Sequence, residues 1–355
     1  MSYKDIIMSK IEAALHNQIK RFREERGWSQ QELSERTGLS RTGVSAIEMG
    51  KLVPSTVAAL TLAKIFGCSV DELFQLGGYE AIWAWPPTID PCRYWRAMVR
   101  DKLLLYPVET SPLGMTQHDG VYRNGQLIDN HFFDPARTLM MASCDPAVGL
   151  LATEYARSTS FRILVIPRSS HQSLQLLGNG LVHVAGMHLA KSNSPEINAK
   201  RAREVITTPF QLLRVAHWQE GLAVSAGSGL ETVGQVLKAK VRWIGREPGS
   251  GARQVLDEVL QGAPTPSLAA KDHRGVVEAI RSGWAGAGVS LRLVSEEAGL
   301  DFIGVCEEAY DLCIPAQHAD DPRVRALIEV VRSPAFRNLL GELPGYDVSA
   351  TGELG

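Results

Sequence analysis

Apolar residues recur at helical spacing through the first part of the chain. They are Ile11, Leu15, Ile19 and Phe22, then, after a break at Gly27, Leu33, Val44 and Ile47, and finally Val57, Leu60 and Ala63. Ser29, Ser40 and Ser55 stand where side-chain oxygens would cap three helix starts. The pattern predicts an all-α unit of short helices and tight turns over residues 1–76. Between 77 and 136 the periodicity stops: Gly-Gly, Pro-Pro and the tryptophans Trp83, Trp85 and Trp95 predict an ordered, partly buried connector. Within it, the Asn-Gly pair of "GVYRNGQLID" predicts a β-hairpin.

From 137 to 355 short apolar runs alternate with loop-and-helix patterns: 137–143, 161–167, 181–189, 221–227, 241–245, 285–291, 300–305 and 310–315 read as strands. Helices read at 144–156, 168–180, 246–260, 273–283 and 321–333. Such alternation predicts a parallel α/β sheet, or two lobes built that way.

Length and composition narrow the class. A chain of 355 residues with 45% hydrophobic content supports two or three packed domains. No apolar run approaches the roughly 20 residues of a membrane span, and the first residues lack signal-peptide character, so a cytoplasmic protein is expected. The five cysteines, Cys68, Cys92, Cys144, Cys306 and Cys313, are scattered without a C-x-x-C and read as packing thiols. A net charge of −2 gives no general affinity for nucleic acid. Any DNA binding must come from a local face.

Such a face is suggested by "SQQELSERTGLSRTGVSAIEMGKLVPSTVAALTLAKIFGCSVDELF", which resembles the Cro/repressor (XRE-type) helix-turn-helix family along its whole length. Its parts are a helix from Gln30, a turn at Gly38, a second helix from Ser40 and a Gly-Lys-x-x-Pro exit. The resemblance implies that the second helix enters the major groove, with Arg41, Thr42 and Ser45 toward bases and Gln30 and Lys51 toward the backbone. Residues 1–80 carry ten Lys/Arg and ten Asp/Glu, so one copy would bind weakly and a homodimer on two-fold operator DNA is expected.

Enzyme motifs fail in the C-terminal region. "REPGSGARQ" has no Lys after its Gly for a Walker loop, and Pro248 replaces the first Gly of a nucleophile elbow. "AGSGLET" and "AGAGVSL" lack the third Gly of a dinucleotide fingerprint. There is no H-E-x-x-H, and His183 and His188, five apart on a strand, point to opposite faces, so neither a catalytic residue nor a metal site is assigned. What remains is three loops between a strand and a helix: Ser143-Cys144-Asp145-Pro146, Arg168-Ser169-Ser170 and Pro248-Gly249-Ser250-Gly251. Helix N-termini with serine hydroxyls hold small anions, although each serine alone could be a simple N-cap.

From about Arg137 onward the chain resembles the periplasmic-binding-protein-like domain found fused to helix-turn-helix regulators. The matching segments are "CDPAVGLLA", "GLVHVAGMHL", "REPGSGAR", "GLDFIGVCEEAYDLCIP", "DPRVRALIEVVRSPAFRNLLGELPGYD" and "TGE". The resemblance implies a two-lobed, type II binding domain similar to those for molybdate or tungstate. Lobe one would span roughly 137–220 and 311–350, and lobe two roughly 221–310. It also implies ligand contacts from Ser143, Cys144, Asp145, Ser169, Ser170 and His188 in the first lobe, from Ser250, Gly251 and Arg253 in the second, and from Tyr310 at the return crossing.

Three departures bear on the ligand. Ala252 stands where a Thr hydroxyl is common, Ala285-Gly286-Ala287-Gly288 replaces an A-D-A-G run, and the Asp145 carboxylate would repel an oxyanion unless held as a cap. The whole reads as a ligand-responsive transcriptional regulator that is not an enzyme and carries no cofactor. Its effector is an oxyanion such as molybdate or tungstate, with a small organic metabolite as the alternative and an enzyme of cofactor metabolism with a DNA-binding head as a further one.

Overall fold

The three expected caps form. The hydroxyls of Ser29, Ser40 and Ser55 accept the N–H groups of Glu32, Gly43 and Ala58 at 3.1, 3.0 and 3.2 Å. They start the helices Gln30–Thr37, Arg41–Glu48 and Thr56–Phe66. This is a computed structural model, and it describes residues 15–76, 81–130, 133–191, 193–194 and 196–355. Ile11 and the stretch 77–80 lie outside the described residues. The chain divides into two compact units, one up to Glu80 and one from Ala81 to Gly355.

In the first unit, Ile19, Leu33, Val44, Ile47, Leu62, Phe66 and Leu73 form the core. Two expectations change. Leu15 is not helical: Leu15–Asn17 pairs antiparallel with Phe74–Leu76, a two-stranded addition to the helices. The helix Thr56–Phe66 buries Ala59, Leu62, Ala63 and Phe66, leaving Val57 and Leu60 exposed. The spacing 59, 62, 63, 66 is the continuous apolar stripe of a full helical face, which the 57, 60 pair lacks.

The second unit begins with a five-stranded sheet ordered Ala81–Trp83, Lys102–Pro107, Cys92–Val99, Gly120–Arg123 and Gln126–Asp129. The last two strands are the expected hairpin, turned by Asn124 and Gly125, both at positive φ. The segment is more than a connector with one hairpin. Trp95, Ala97, Val99, Leu104 and Tyr106 share a core with Met140, Leu164, Leu174 and Leu177 of the α/β region. Arg323 donates to the Met98 and Thr138 carbonyls at 2.9 and 2.8 Å, tying the two sheets together.

The main sheet is mixed, not purely parallel. Thr138–Ser143 pairs in parallel with Arg162–Pro167 and with Val184–Lys191. Trp243–Arg246 pairs in parallel with Ala269–Ala270 and with Ala287–Leu291. Joining these two parallel sets is an antiparallel pair of 15-residue strands, Phe210–Val224 and Asp301–Pro315, in register from Phe210↔Pro315 to Val224↔Asp301. Each was expected to be shorter or split, because Arg214, His217, Gln219, Glu220, Glu307 and Glu308 interrupt the apolar pattern. Within the described residues no helix is long and apolar enough to cross a membrane.

Candidate functional site

In the helix-turn-helix unit, Arg41 and Thr42 are exposed on the first turn of the second helix and Lys51 is exposed just beyond it, while Ser45 is half-buried. Gln30 is drawn inward: its amide donates to Glu48 at 2.8 Å, and the same carboxylate pairs with buried Arg23 at 2.6 Å. Gln30 thus braces the second helix, with its amide N–H already partnered.

In the second unit the three loops sit at the carboxyl ends of parallel strands, where crossover helices begin and α/β folds bind ligands. Ser143 ends its strand buried, its hydroxyl hydrogen-bonded to the Tyr310 hydroxyl at 2.7 Å and accepting the Asp145 N–H at 3.1 Å. Asp145 does behave as a cap: its carboxylate accepts the Ala147 N–H and the Tyr346 hydroxyl, both at 2.8 Å. Burial nevertheless pushes its pKa up to about 6, with those two hydrogen bonds holding it back.

The Ser170 hydroxyl accepts the His188 N–H at 3.0 Å and lies 4.0 Å from the Cys144 sulfur. Ser169 forms a capping box with Gln172 at the start of the helix Ser170–Gly178, and its buried hydroxyl makes no hydrogen bond beyond that cap. Gly186 permits this crowding, because a Cβ there would overlap the Tyr310 hydroxyl. Tyr310 itself is stacked on Trp218, with ring centroids 4.6 Å apart.

The third loop comes from the other parallel set. Ser250 caps the helix Gly251–Leu260, accepting the Arg253 N–H at 3.1 Å and donating to the Glu247 carbonyl at 3.0 Å. Gly251 meets His188 so closely that a Cβ would stand 2.7 Å from the imidazole Nδ1. The loops of both sets therefore converge on His188. Arg253 does not join them: its guanidinium is held by Asp257, Thr265 and the Arg246 carbonyl.

Two sequence departures acquire reasons. Ala252 is fully buried in an apolar cluster with Val255, Leu256 and Val289, where a hydroxyl would be out of place. Gly286, where the run departs, packs closely: a Cβ there would lie 3.2 Å from Val241.

The floor of the site consists of residues that sequence reasoning missed. Glu220 and Glu308, on the two long strands, face His188: its Nδ1 is 2.6 Å from Glu308 and 3.9 Å from Glu220. All three are buried. Burial and the Glu308 carboxylate hold Glu220 well above the usual range; burial likewise raises Glu308, opposed by hydrogen bonding and Arg246. For His188, burial favours the neutral ring but Cys144 and Glu220 outweigh it, and its pKa is raised.

Arg246 is fully buried beside this group, paired with Glu247 at 3.1 Å and 3.1 Å from the His273 ring nitrogen. His273 is held well below its ordinary value by burial and by Arg246. The one available signal was charged residues inside apolar strands: Glu220 and Glu308 interrupt otherwise buried runs.

The sequence pattern of the helix-turn-helix family matches residues 19–73, and that of the PBP superfamily domain matches residues 152–332. A protein of Bacillus subtilis (strain 168), the uncharacterized YvgK, is 26% identical over 231 residues, covering 62% of this chain and 74% of that one. A second from the same organism, the uncharacterized HTH-type transcriptional regulator YgzD, is 39% identical over 62 residues, 18% of this chain and 94% of that one. Among solved structures, a putative phosphate ABC transporter substrate-binding protein with bound phosphate from Clostridium perfringens aligns with a TM-score of 0.49 at 9% identity, over 60% of this chain and 100% of that one. A helix-turn-helix domain is thus followed by the α/β unit whose matched residues span half of the protein, and the chain belongs to the PBP superfamily domain family.

Proposed function

We propose that this protein is a ligand-responsive transcriptional regulator: the helix-turn-helix reads operator DNA as a homodimer, and the α/β unit takes a small effector between its two parallel sets of strands. The observation that carries the reading is the convergence of three strand-to-helix loops, from both sets, on His188. Such loops offer backbone N–H groups and hydroxyls to an anion, and an occupant touching both sets would shift the population toward the joined state. An oxyanion of the molybdate or tungstate type matches that donor set, with the buried Ser169 hydroxyl, which makes no hydrogen bond beyond its helix cap, as one side-chain donor.

The buried carboxylate of Asp145 favours a second reading, in which the effector is a small organic metabolite. A thermal-shift screen separates the two. Molybdate, tungstate, sulfate, phosphate and a metabolite panel are added to the full-length protein; a rise with molybdate or tungstate alone supports the oxyanion, and a rise only with an organic compound replaces it. At a hundredfold excess over Kd the expected stabilisation is about 2.7 kcal/mol. No rise with any ligand would count against effector binding itself.

A further inference from the structure

The three loops invite an anion, yet the floor beneath them presents two carboxylates. Glu220 is fully buried, and both of its oxygens lack a hydrogen-bond donor. Leaving a buried carboxylate unpartnered is costly, so a pair this deep either shares a proton or holds a cation.

We infer that His188, Glu220 and Glu308 form a binding site for a divalent transition-metal ion of the Zn2+ or Mn2+ class. One ligand atom from each residue, the imidazole Nδ1 and two carboxylate oxygens, lies within 4.8 Å of the others. An ion bound at about 2.0–2.2 Å spaces its ligand atoms roughly 3.3 Å apart. Reaching that spacing from 2.6 Å to Glu308 and 3.9 Å to Glu220, with every pair within 4.8 Å, needs side-chain shifts on the order of an ångström. Mixed imidazole and carboxylate donors suit this class better than Mg2+ or Ca2+, which prefer all-oxygen shells.

The surroundings agree. Gly251 leaves open the side of Nδ1 that a Cβ would crowd from 2.7 Å. Arg246 pairs with Glu247, and although its charge also reaches Glu220 and Glu308 it hydrogen-bonds neither, so both carboxylates remain available to the ion. On binding, the Nδ1···Glu308 hydrogen bond opens, the ion takes the nitrogen lone pair, and the proton carried between them is released. The inference deepens the effector reading above and rests on it for location: a cation here would cancel the negative floor that otherwise opposes an oxyanion in the loops.

The test is isothermal titration of full-length, EDTA-treated and dialysed protein with ZnCl2 and with MnCl2, with no oxyanion present. We expect one ion per chain, Zn2+ tighter than Mn2+, a binding heat that varies with buffer ionisation because a proton is released, and a metal-dependent rise in Tm. Glu220→Gln and Glu308→Gln should each weaken binding at least tenfold and remove the Tm rise. Without metal, Glu220→Gln should melt unchanged or higher, since its buried carboxylate has no partner, whereas Glu308→Gln, which gives up the charge paired with His188, should melt lower. The inference is overturned if the wild type binds no stoichiometric ion, as a shared proton would have it, or if Glu220→Gln binds as tightly as wild type. Because the titration contains only the metal, its failure leaves the molybdate and metabolite shifts to be read on their own. A failed effector screen, conversely, leaves a positive metal titration standing.

Discussion

His183 shows how a single side chain can be fixed by its neighbours. Its Nδ1 accepts the Met140 N–H at 2.9 Å and its Nε2 donates to the Met98 carbonyl at 2.8 Å, an arrangement open only to the neutral ring. Burial, with Arg323 and His318 adding repulsion, lowers its pKa to about 3. Between pH 3 and the ordinary histidine value near 6.5 the unfolded chain therefore binds a proton that the folded chain refuses. Stability is lost as pH falls through that window. Replacing His183 by Gln, which keeps one acceptor and one donor, should flatten the pH dependence of urea unfolding between pH 6.5 and 4; an unchanged slope would show that the ring is not held neutral.

Asp145 works in the opposite sense. Its folded-state pKa of about 6 lies above the unfolded value, so the folded chain binds the extra proton between pH 3.8 and 6 and its penalty is full above pH 6. Asp145→Asn keeps an oxygen for Ala147 and Tyr346 and should stabilise the EDTA-treated protein at pH 8 by about 1–3 kcal/mol, with the gain fading below pH 4. These two side chains show what sequence reading reaches: a histidine at 183 and an acid at 145 are visible in the chain, whereas partners that act on them, Arg323 and His318 for His183 and Tyr346 for Asp145, lie more than a hundred positions away.

At the scale of elements, the short crossover units were legible because each carries a local apolar run and a local start signal, as with Ser250 before Gly251–Leu260. The long antiparallel pair was not, because buried charged residues stand at its centre beside the core residues Trp218 and Tyr310. Trp218↔Glu308 and Glu220↔Cys306 are cross-strand partners at the middle of the pair, and a bulge follows Glu220. Charged groups placed there break the two-residue alternation by which a strand is recognised. The charges that mark this candidate floor are also what hid its strands. The start of the helix Gly251–Leu260 makes a further prediction. A Cβ at Gly251 would overlap His188, so Gly251→Ala must push the third loop away from the first two. The expected result is loss of the Tm rise with the effector while the melting temperature without it falls only modestly, by the equivalent of about 1–3 kcal/mol. Equal ligand-induced shifts in Gly251→Ala and wild type would remove this loop from the site.

For the whole molecule, the question is whether one reading head suffices. Residues 1–80 balance ten basic against ten acidic side chains, and Arg23 and Arg26 are occupied by contacts within their own unit. Basic side chains do not outnumber acidic ones in this unit, which is the argument for the homodimer proposed above. Salt dependence distinguishes the two cases. Each phosphate contact contributes about −0.9 to the slope of log K against log salt. Lys51 is exposed beside the second helix of the motif. In a dimer, Lys51→Ala deletes two such contacts and should make the slope shallower by about 1.8, where a monomer would change by about 0.9. Arg41→Ala should instead act on sequence, costing about 1–3 kcal/mol at each half-site on operator DNA and little on random duplex. Titrations of both variants against operator and random DNA at several salt concentrations separate the roles. A slope unaffected by Lys51→Ala would mean that the backbone is gripped elsewhere, and an Arg41→Ala protein with unchanged operator preference would take the second helix out of the groove.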